Sequence, residues 1–246
     1  MHREIGINLS AYKPAQLDRR INSLMTRNGI KTLDEYTKVL KTDSDQKQKF
    51  LDFITINVTE FYRNPELFSE FETVLKNDFI SKNNRIRVWS AACSIGCEPY
   101  SVAMILKKIN PRGINEIIAT DIDNTILARA KKGEYTDSEV KNIPEDELKK
   151  YFTTNENKYL IDNNIKSMVK FKKHDLILDK YEDNFDVIIC RNVVIYFNND
   201  IKADIYKRFY SALKKGGILF VGATESIYGY KEYGFEKVST FIYRKV

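Results

Sequence analysis

The sequence predicts an α/β protein in which a small helical N-terminal domain precedes a doubly wound, mainly parallel β-sheet. Residues 12 to about 57 show only the periodicity of helices. After Arg85, short runs rich in β-branched residues alternate with segments of helical periodicity, and this alternation is typical of β-α-β units. At 246 residues, the chain is long enough for both domains to bury a core.

The N-terminal domain is predicted to hold three helices. Apolar residues of the first helix recur at the i, i+4, i+7 and i+8 positions of one face, and Asn28-Gly29 is a typical helix end. The second and third helices are predicted around Leu33–Leu40 and Gln46–Ile56. The apolar face of the first helix consists of Leu17, Ile21, Leu24 and Met25.

The second domain contains four candidate strands, RIRVWS, EIIAT, FDVIICR and GILFVGA. A last strand, STFIYRKV, follows Gly234 after a short connection, so it is predicted to pair antiparallel with GILFVGA, because a parallel return needs a crossover. Three short runs, YFTT, KYLI and VKFKKHD, are predicted to form an inserted antiparallel meander at about residues 151–173. The predicted boundaries are 1–60 for the helical domain, 61–83 for a linker helix and 84–246 for the α/β domain.

Composition disfavours several classes of protein. No apolar run reaches the roughly 20 residues that span a bilayer, and the N-terminal MHREIGINLS lacks the apolar core of a signal peptide. We therefore expect a cytoplasmic protein with no membrane insertion. Three cysteines without a CxxC pair, and only two histidines (His2 and His174), predict reduced thiols and no metal site. No exposed apolar repeat stands out, which favours a monomer.

The basic excess is modest and is concentrated near the start of the chain. The net charge is +6, and residues 1–49 hold ten Lys and Arg against six Asp and Glu. A basic surface suits a nucleic acid, an anionic lipid or an acidic protein, and the lack of a tight Lys/Arg run argues against a nucleic acid. Three basic residues spaced by seven form one stripe of the first helix, which we expect to lie away from its apolar face: Lys13, Arg20 and Arg27.

Ligands of open α/β sheets bind beyond the carboxyl ends of the strands, so residues that follow each strand are candidates for a site. The first strand is followed by SAACSIGCEPYS, which has one glycine and is not a GxGxxG phosphate loop. This disfavours a pyrophosphate dinucleotide and suits a nucleoside ligand without phosphates. Asp121 follows the second strand, where a carboxylate can accept hydrogen bonds from ribose hydroxyls. Alternatively, Asp121 or Asp123 only caps the next helix.

Three further positions each have a functional and a structural interpretation. Asp175 is placed to meet an adenine amino group, or it is a turn residue. Arg191 ends a buried strand, where an arginine binds a ligand or belongs to a structural ion pair. The stretch NVTEFYRNPELF connects two helices, and its polar set Asn57, Thr59 and Arg63 is either helix caps with a surface arginine or a functional set, because a plain connector needs only turn-forming residues.

The motifs NVTEFYRN, WSAACSIGCEPYS, ATDID, FDVIICRNVVIYF and GGILFVGATESI, in this order and spacing, resemble the chemotaxis receptor methyltransferase family, CheR. The resemblance extends from about Tyr12 to the C-terminus. It implies a small helical domain joined to a Rossmann-like S-adenosylmethionine (SAM) domain with an inserted three-stranded β-subdomain. It also implies methyl transfer from SAM to glutamate side chains on the cytoplasmic helices of transmembrane chemoreceptors, with S-adenosylhomocysteine (SAH) as product.

The resemblance implies a set of site residues. A substrate carboxylate that leaves water needs a cationic or hydroxyl partner, for which we predict Arg63 and Tyr196, with Arg191 as a third catalytic residue that ties the cofactor side together. We predict that Arg19, Arg20 and Arg27 recognise the acidic receptor helices. The residues implied to bind SAM are Asn57, Thr59, Arg63, Glu98, Asp121, Asp175, Leu176, Cys190 and Arg191.

The chain departs from the family pattern in the loop after the first strand. Cys97 stands where the family usually has a second glutamate, and Ile95 replaces a common Ser or Thr. The predicted meander is short, so we expect no docking of a receptor tail peptide on it.

Two other classes of function are weighed against methyl transfer to receptors. A SAM- or SAH-binding regulatory module without transferase activity is disfavoured by the retained Arg63, Arg191 and Tyr196. A nucleic-acid methyltransferase is disfavoured because RNVV stands where amino-methylating enzymes carry an Asn/Asp-Pro-Pro-aromatic motif.

Overall fold

The computed structural model describes residues 7–55, 59–80 and 85–246. The chain divides into two compact units. The smaller unit combines Met1–Val58 with Tyr196–Ala203, and the larger unit combines Thr59–Ile195 with Asp204–Val246. Among the described residues, no helix is both long enough and apolar enough to cross a bilayer.

The smaller unit is built on three helices, as predicted: α1 (Pro14–Arg27), α2 (Leu33–Thr42) and α3 (Ser44–Thr55). Helix α1 starts with a proline at its first position and ends before Gly29, whose φ of +68° suits glycine. The α1 face predicted to be apolar packs against the other two helices. The buried core of this unit consists of Ile21, Leu24, Met25, Tyr36, Leu40, Phe50 and Ile54.

A distant segment of the chain completes the smaller unit. Tyr12 forms an isolated antiparallel bridge with Phe197, and their rings make an edge contact at 5.2 Å. The Lys13 backbone N–H donates to the Tyr196 carbonyl at 2.9 Å. The start of α1 is therefore held by a segment more than 180 residues away in the chain.

The larger unit contains a seven-stranded sheet of order β6-β2-β1-β7-β8-β10-β9. The first five strands are parallel, and β10 is antiparallel to β8, as predicted for the last strand. The strands are β1 (Arg85–Ala91), β2 (Ile114–Asp121), β3 (Glu134–Tyr135), β4 (Phe152–Asn155), β5 (Lys158–Ile161), β6 (Val169–Lys173), β7 (Phe185–Cys190), β8 (Leu213–Val221), β9 (Phe235–Ser239) and β10 (Ile242–Lys245).

Helices cover both faces of this sheet. Consecutive residues of a strand point to opposite faces of the sheet. On one face, Val88 lies in the cluster that includes the α4 and α5 side chains. On the other face, the Trp89 ring contacts the Phe209 ring of α10, with ring centroids 5.5 Å apart. The remaining helices are α4 (Pro65–Leu75), α5 (Cys97–Ile109), α6 (Asn124–Lys132), α7 (Asp137–Val140), α8 (Glu145–Tyr151), α9 (Asn163–Lys166) and α10 (Asn199–Ala212).

The segment predicted as a linker helix packs on the sheet. Helix α4 continues as a π-helical turn over Lys76–Ile80. Phe71 of α4 stacks on Phe220 of β8 with ring centroids 4.9 Å apart, and both rings are fully buried. The described part of this segment therefore contributes to the core of the larger unit.

The predicted meander is wrong in one of its three strands. The small antiparallel sheet has the order β3-β5-β4, so its third strand is Glu134–Tyr135 and not VKFKKHD. The VKFKK run forms β6, which pairs parallel with β2 at the edge of the main sheet. The short helix α9 lies between β5 and β6 and allows the chain to leave the small sheet and return parallel to β2.

Candidate active site

The candidate site lies in the larger unit at the carboxyl ends of β1, β2 and β7. The strand order reverses between β1 and β7, which is the usual ligand position in an open α/β sheet. Four predicted residues follow or end these strands: Glu98, Asp121, Cys190 and Arg191.

The loop after β1 has an unusual backbone. Ala92 and Ser94 have φ values of 64° and 49°, in the left-handed region that residues other than glycine rarely adopt. Gly96, with φ of +90°, precedes the first turn of α5. Such strain persists where the surrounding structure holds it, and it is common at ligand sites.

Asp121 and Asp123 have different roles. Asp123 caps α6, because its Oδ1 accepts hydrogen bonds from the Thr125 and Ile126 amides at 2.7 and 3.4 Å. Asp121 is buried at the end of β2, and its two carboxylate oxygens accept from the Ser94 amide at 2.9 Å and the Asp123 amide at 3.2 Å. Burial raises the pKa of Asp121. A carboxylate can accept about four hydrogen bonds, so Asp121 can also accept from a ribose hydroxyl.

Glu98 is a nearly buried carboxylate in the first turn of α5. Its Oε1 accepts from the Ser90 hydroxyl at 2.8 Å, and its Oε2 lies 3.9 Å from Nη1 of Arg191. Burial raises the pKa of Glu98 to about 7, against the opposing effects of Arg191 and Ser90. A cationic ligand group would therefore gain a strong partner here.

Arg191 connects β7 to the segment before α4. Its Nη2 donates to the Arg63 carbonyl at 2.8 Å and to Oδ1 of Asn64 at 3.0 Å, and its guanidinium lies over the Phe68 and Phe220 rings at 5.1 and 4.8 Å. Its side chain is only 2% exposed, and burial lowers its pKa. In the described structure, Nε of Arg191 is buried without a hydrogen-bond partner. A buried donor of this kind usually has a partner, and a ligand carboxylate would supply one.

The segment that carries Thr59 and Arg63 borders the same carboxylate. The Thr59 side chain hydrogen-bonds the Cys97 thiol, and the Arg63 charge contributes, after larger effects, to the pKa shifts of both Glu98 and Arg191. Cys97 is fully buried at the start of α5. The remaining predicted residue of this stretch, Asn57, lies outside the described residues.

Asp175 and Leu176 form a turn after β6. Oδ1 of Asp175 accepts from the Ile177 and Leu178 amides at 2.7 and 3.2 Å, which is the turn interpretation of this residue. Leu176 is buried, and its carbonyl accepts from the Tyr181 hydroxyl at 2.7 Å. Ligand binding by this turn stays a prediction.

Sequence reasoning did not single out Glu225, which organises the loop after β7. Its buried carboxylate accepts from the amides of Asn192, Val193 (3.0 Å) and Gly222 (2.9 Å). Asn192 is itself left-handed, with φ of 62°. An available signal was the glutamate in GATES directly after a buried strand, since an unpaired carboxylate is rarely buried.

The smaller unit holds the other predicted residues. Arg20 is half-buried, because its guanidinium donates to the Phe53 carbonyl and lies 5.4 and 5.8 Å from the centroids of the Phe53 and Tyr196 rings. This differs from the outward stripe that we predicted. Arg19 and Arg27 are exposed, with Arg27 also over the Phe53 ring at 5.1 Å.

Comparison with known proteins agrees with this architecture. The SAM-binding domain model of CheR methyltransferases matches residues 57–243, and the all-alpha domain model of the same family matches residues 1–55. The chain is 38% identical to a chemotaxis protein methyltransferase of Listeria monocytogenes over 99% of this chain and 93% of that protein.

Further relatives bear the same name. The chain is 33% identical to a chemotaxis protein methyltransferase of Borreliella burgdorferi over 98% of this chain and 90% of the relative. It is 31% identical to that of Escherichia coli over 92% and 81%, respectively. The site residues also suit SAM, since Glu98 can face a cation, Asp121 a ribose and the unpaired Nε of Arg191 a carboxylate. The chain belongs to the CheR methyltransferase family.

Proposed function

We propose that this protein methylates glutamate side chains of chemoreceptors in chemotaxis, with SAM as methyl donor and SAH as product. The observation that carries the proposal is the pairing of nearly buried Glu98 with buried Arg191 beside Arg63, at the carboxyl ends of the strands. The names of the relatives support methyl transfer in chemotaxis. That the methyl group is transferred to receptor glutamates is our addition to what these names support.

Bound SAM would supply a methyl group attached to a positively charged sulfur. An attacking oxygen would form a bond to the methyl carbon as the carbon–sulfur bond breaks. A substrate glutamate has an ordinary pKa of about 4.3 and is ionised at neutral pH, so no general base is needed. The tasks left to this chain are to orient the carboxylate oxygen and to exclude water.

Within the larger unit, the acidic and basic residues divide these tasks. We assign Glu98 to a cationic group of the cofactor and Asp121 to its ribose, because Asp121 is a buried carboxylate and Glu98 a nearly buried one, and both have spare acceptor capacity. Arg191 would hold a cofactor carboxylate through Nε while its Nη2 orients Arg63. Thr59, Asp175, Leu176 and Cys190 complete the proposed contacts.

The substrate carboxylate requires a cationic or hydroxyl partner when it is desolvated. We assign this role to the half-buried Arg63, whose charge acts on Glu98 and Arg191. The hydroxyl of Tyr196 is the second candidate, on the resemblance alone.

Recognition of the receptor is assigned to the smaller unit. Arg19 and Arg27 are exposed on α1 and can meet acidic side chains on cytoplasmic receptor helices. The chain would then act as a cytoplasmic monomer that inserts into no membrane and binds no nucleic acid.

The decisive experiment measures transfer of labelled methyl from SAM to receptor-containing membranes, DNA and RNA in parallel. We expect label in the receptor band alone, released as methanol by mild base, because carboxyl methyl esters hydrolyse readily. Receptors whose methylated glutamates are replaced by alanine serve as the control. SAM binding without any transfer would instead favour the regulatory module, and label in nucleic acid would refute the proposed substrate.

A further inference from the structure

The structure connects the inserted segment Glu134–Ile161 to the backbone of two loops of the candidate site. This segment contains the small sheet and the helices α7 and α8. The first of the two loops is Thr59–Asn64, which we call the arginine loop. The second is Ala92–Gly96, which we call the β1 loop.

The arginine loop is attached to the inserted segment through Phe61. The Phe61 amide donates to the Glu139 carbonyl at 2.9 Å. The Phe61 ring is fully buried and makes edge contacts with Tyr135 at 4.7 Å and Phe152 at 5.3 Å. This aromatic side chain therefore anchors the loop to the inserted segment and not to the main sheet alone.

A second attachment follows at the next residue. The Tyr62 hydroxyl donates to Oε2 of Glu147 on α8, and both side chains are buried. Lys108 lies 3.4 Å from the other oxygen of Glu147 and 2.7 Å from Glu72, so the buried carboxylate is also neutralised. Burial and Glu147 raise the pKa of Tyr62, which keeps the phenol protonated as a donor. None of these side chains is used by the proposed chemistry.

The β1 loop is attached to the same segment. The Tyr135 hydroxyl donates to the Ile95 carbonyl at 2.9 Å, and both residues are 1% exposed. Tyr135 thus supports the β1 loop through its hydroxyl and the arginine loop through its ring.

We propose that the inserted segment is a positioning element for SAM binding, with the Tyr62–Glu147 and Tyr135–Ile95 hydrogen bonds as its two attachment points. Both loops have residues in left-handed conformations next to these bonds, with φ of 48° at Tyr62 and 49° at Ser94. Such conformations persist only where surrounding contacts hold them. If either bond is removed, the attached loop also populates other conformations. The apparent affinity for SAM then falls in proportion to the fraction of molecules that keep the binding conformation.

The inference rests on the proposed function only in that the site binds SAM. The test uses the full-length chain with Tyr62→Phe and Tyr135→Phe, each of which removes one hydroxyl and keeps the ring. We expect the Kd for SAM, measured by titration calorimetry, to rise about 5- to 20-fold, since one buried hydrogen bond is lost. Turnover at saturating SAM should change by less than about twofold, so the effect appears in KM and not in kcat.

Two further variants separate positioning from a general loss of stability. Tyr100→Phe is the matched control, because Tyr100 is also buried and its hydroxyl donates to the Ala130 carbonyl at 3.1 Å, in neither loop. Glu147→Gln keeps an acceptor for the Tyr62 hydroxyl and should retain most of the affinity, whereas Glu147→Leu should not. Hydrogen exchange of residues 59–64 should accelerate in Tyr62→Phe and stay unchanged in Tyr100→Phe.

The outcomes are distinguishable. If the unmodified chain binds SAM and both Tyr62→Phe and Tyr135→Phe bind it equally well, the positioning role is refuted and the proposed function stands. If Tyr100→Phe raises the Kd for SAM as much as Tyr62→Phe and Tyr135→Phe do, and all three variants also lower Tm, the effect is a general loss of stability and the inference is also refuted. If the unmodified chain takes up no SAM, both proposals fail.

Discussion

Nη2 of Arg191 donates to the backbone carbonyl of Arg63 at 2.8 Å, across 128 residues of sequence. One arginine at the end of β7 thus fixes the backbone that carries a second arginine. The bond needs no charge on its acceptor, so the Arg191 charge remains available to Glu98 and to a ligand. A structural and a ligand-binding interpretation of Arg191 are therefore compatible.

The first prediction concerns Arg191 itself. Arg191→Met should weaken SAM binding by tenfold or more, about 1.4 kcal/mol, because it removes the donors to Arg63 and Asn64 and the cation that lies 3.9 Å from Glu98. Titration calorimetry measures the Kd, and thermal unfolding measures Tm. Arg191→Lys keeps the charge but not the forked geometry of the guanidinium. Its Kd for SAM should lie between that of the unmodified chain and that of Arg191→Met. An unchanged Kd in Arg191→Met would contradict the assignment.

The second prediction is a pH dependence of SAM affinity that comes from Glu98. Because burial raises its pKa to about 7, Glu98 is mostly protonated below that value, and only its ionised form attracts a cation. Affinity should therefore rise as pH increases from 6 to 7 and level off above about 8. Calorimetry in two buffers of different ionisation enthalpy should detect proton release on binding near pH 6.5.

The control for this pH dependence is Glu98→Gln, which should bind weakly and with a flat profile. The raised pKa of Glu98 affects the stability of the ligand-free protein in the opposite direction from the SAM affinity. The unfolded carboxyl ionises near 4.5 and the folded one near 7, so Glu98 contributes a loss of stability as pH rises between these values. A pH-independent Kd for the unmodified chain would contradict the role of Glu98.

The third prediction concerns Glu225. Glu225→Gln replaces one acceptor oxygen by an NH₂ donor that faces the amides of Gly222, Asn192 and Val193. We expect a loss of about 1–3 kcal/mol in the free energy of unfolding, since buried amides lose their acceptor. Urea denaturation measures it. Glu232→Gln, an exposed position of the same region, should change stability by less than about 0.5 kcal/mol.

The fourth prediction separates the arginines of α1. The exposed pair in Arg19→Glu/Arg27→Glu should lower receptor methylation, and salt should weaken methylation by the unmodified chain, because screening weakens surface attraction. SAM binding by this double variant should match that of the unmodified chain, and its Tm should fall only slightly, because Arg27→Glu removes the contact with the Phe53 ring. If the double variant methylates receptors normally at low salt, recognition by this surface is refuted.

Arg20→Met should behave differently from that pair. Arg20 donates to the carbonyl of Phe53 near the end of α3, so its loss should lower Tm. A drop in methylation without a drop in Tm would instead return Arg20 to the recognition surface.

Much of the fold follows from local patterns in the sequence. The periodicity of Leu17, Ile21, Leu24 and Met25, with Asn28-Gly29 as a stop, predicted α1, and its observed bounds are Pro14–Arg27. Strand–helix alternation predicted the parallel sheet, and the short connection before the last strand predicted its antiparallel pairing with β8. Asp121 and Arg191 were identified as site candidates because the carboxyl ends of parallel strands meet at one edge.

Only the tertiary structure decided which distant groups meet. The alternation in VKFKK is the same whether this strand pairs with β5 or with β2, so its place at the edge of the main sheet needed the three-dimensional fold. Likewise, nothing near Arg20 in the chain reveals that its guanidinium reaches the Phe53 carbonyl, and nothing near Tyr62 reveals Glu147, 85 residues away. Periodicity and turn chemistry report on neighbours within a few residues, whereas the partners of a buried donor or a strand edge are set by packing across the whole chain.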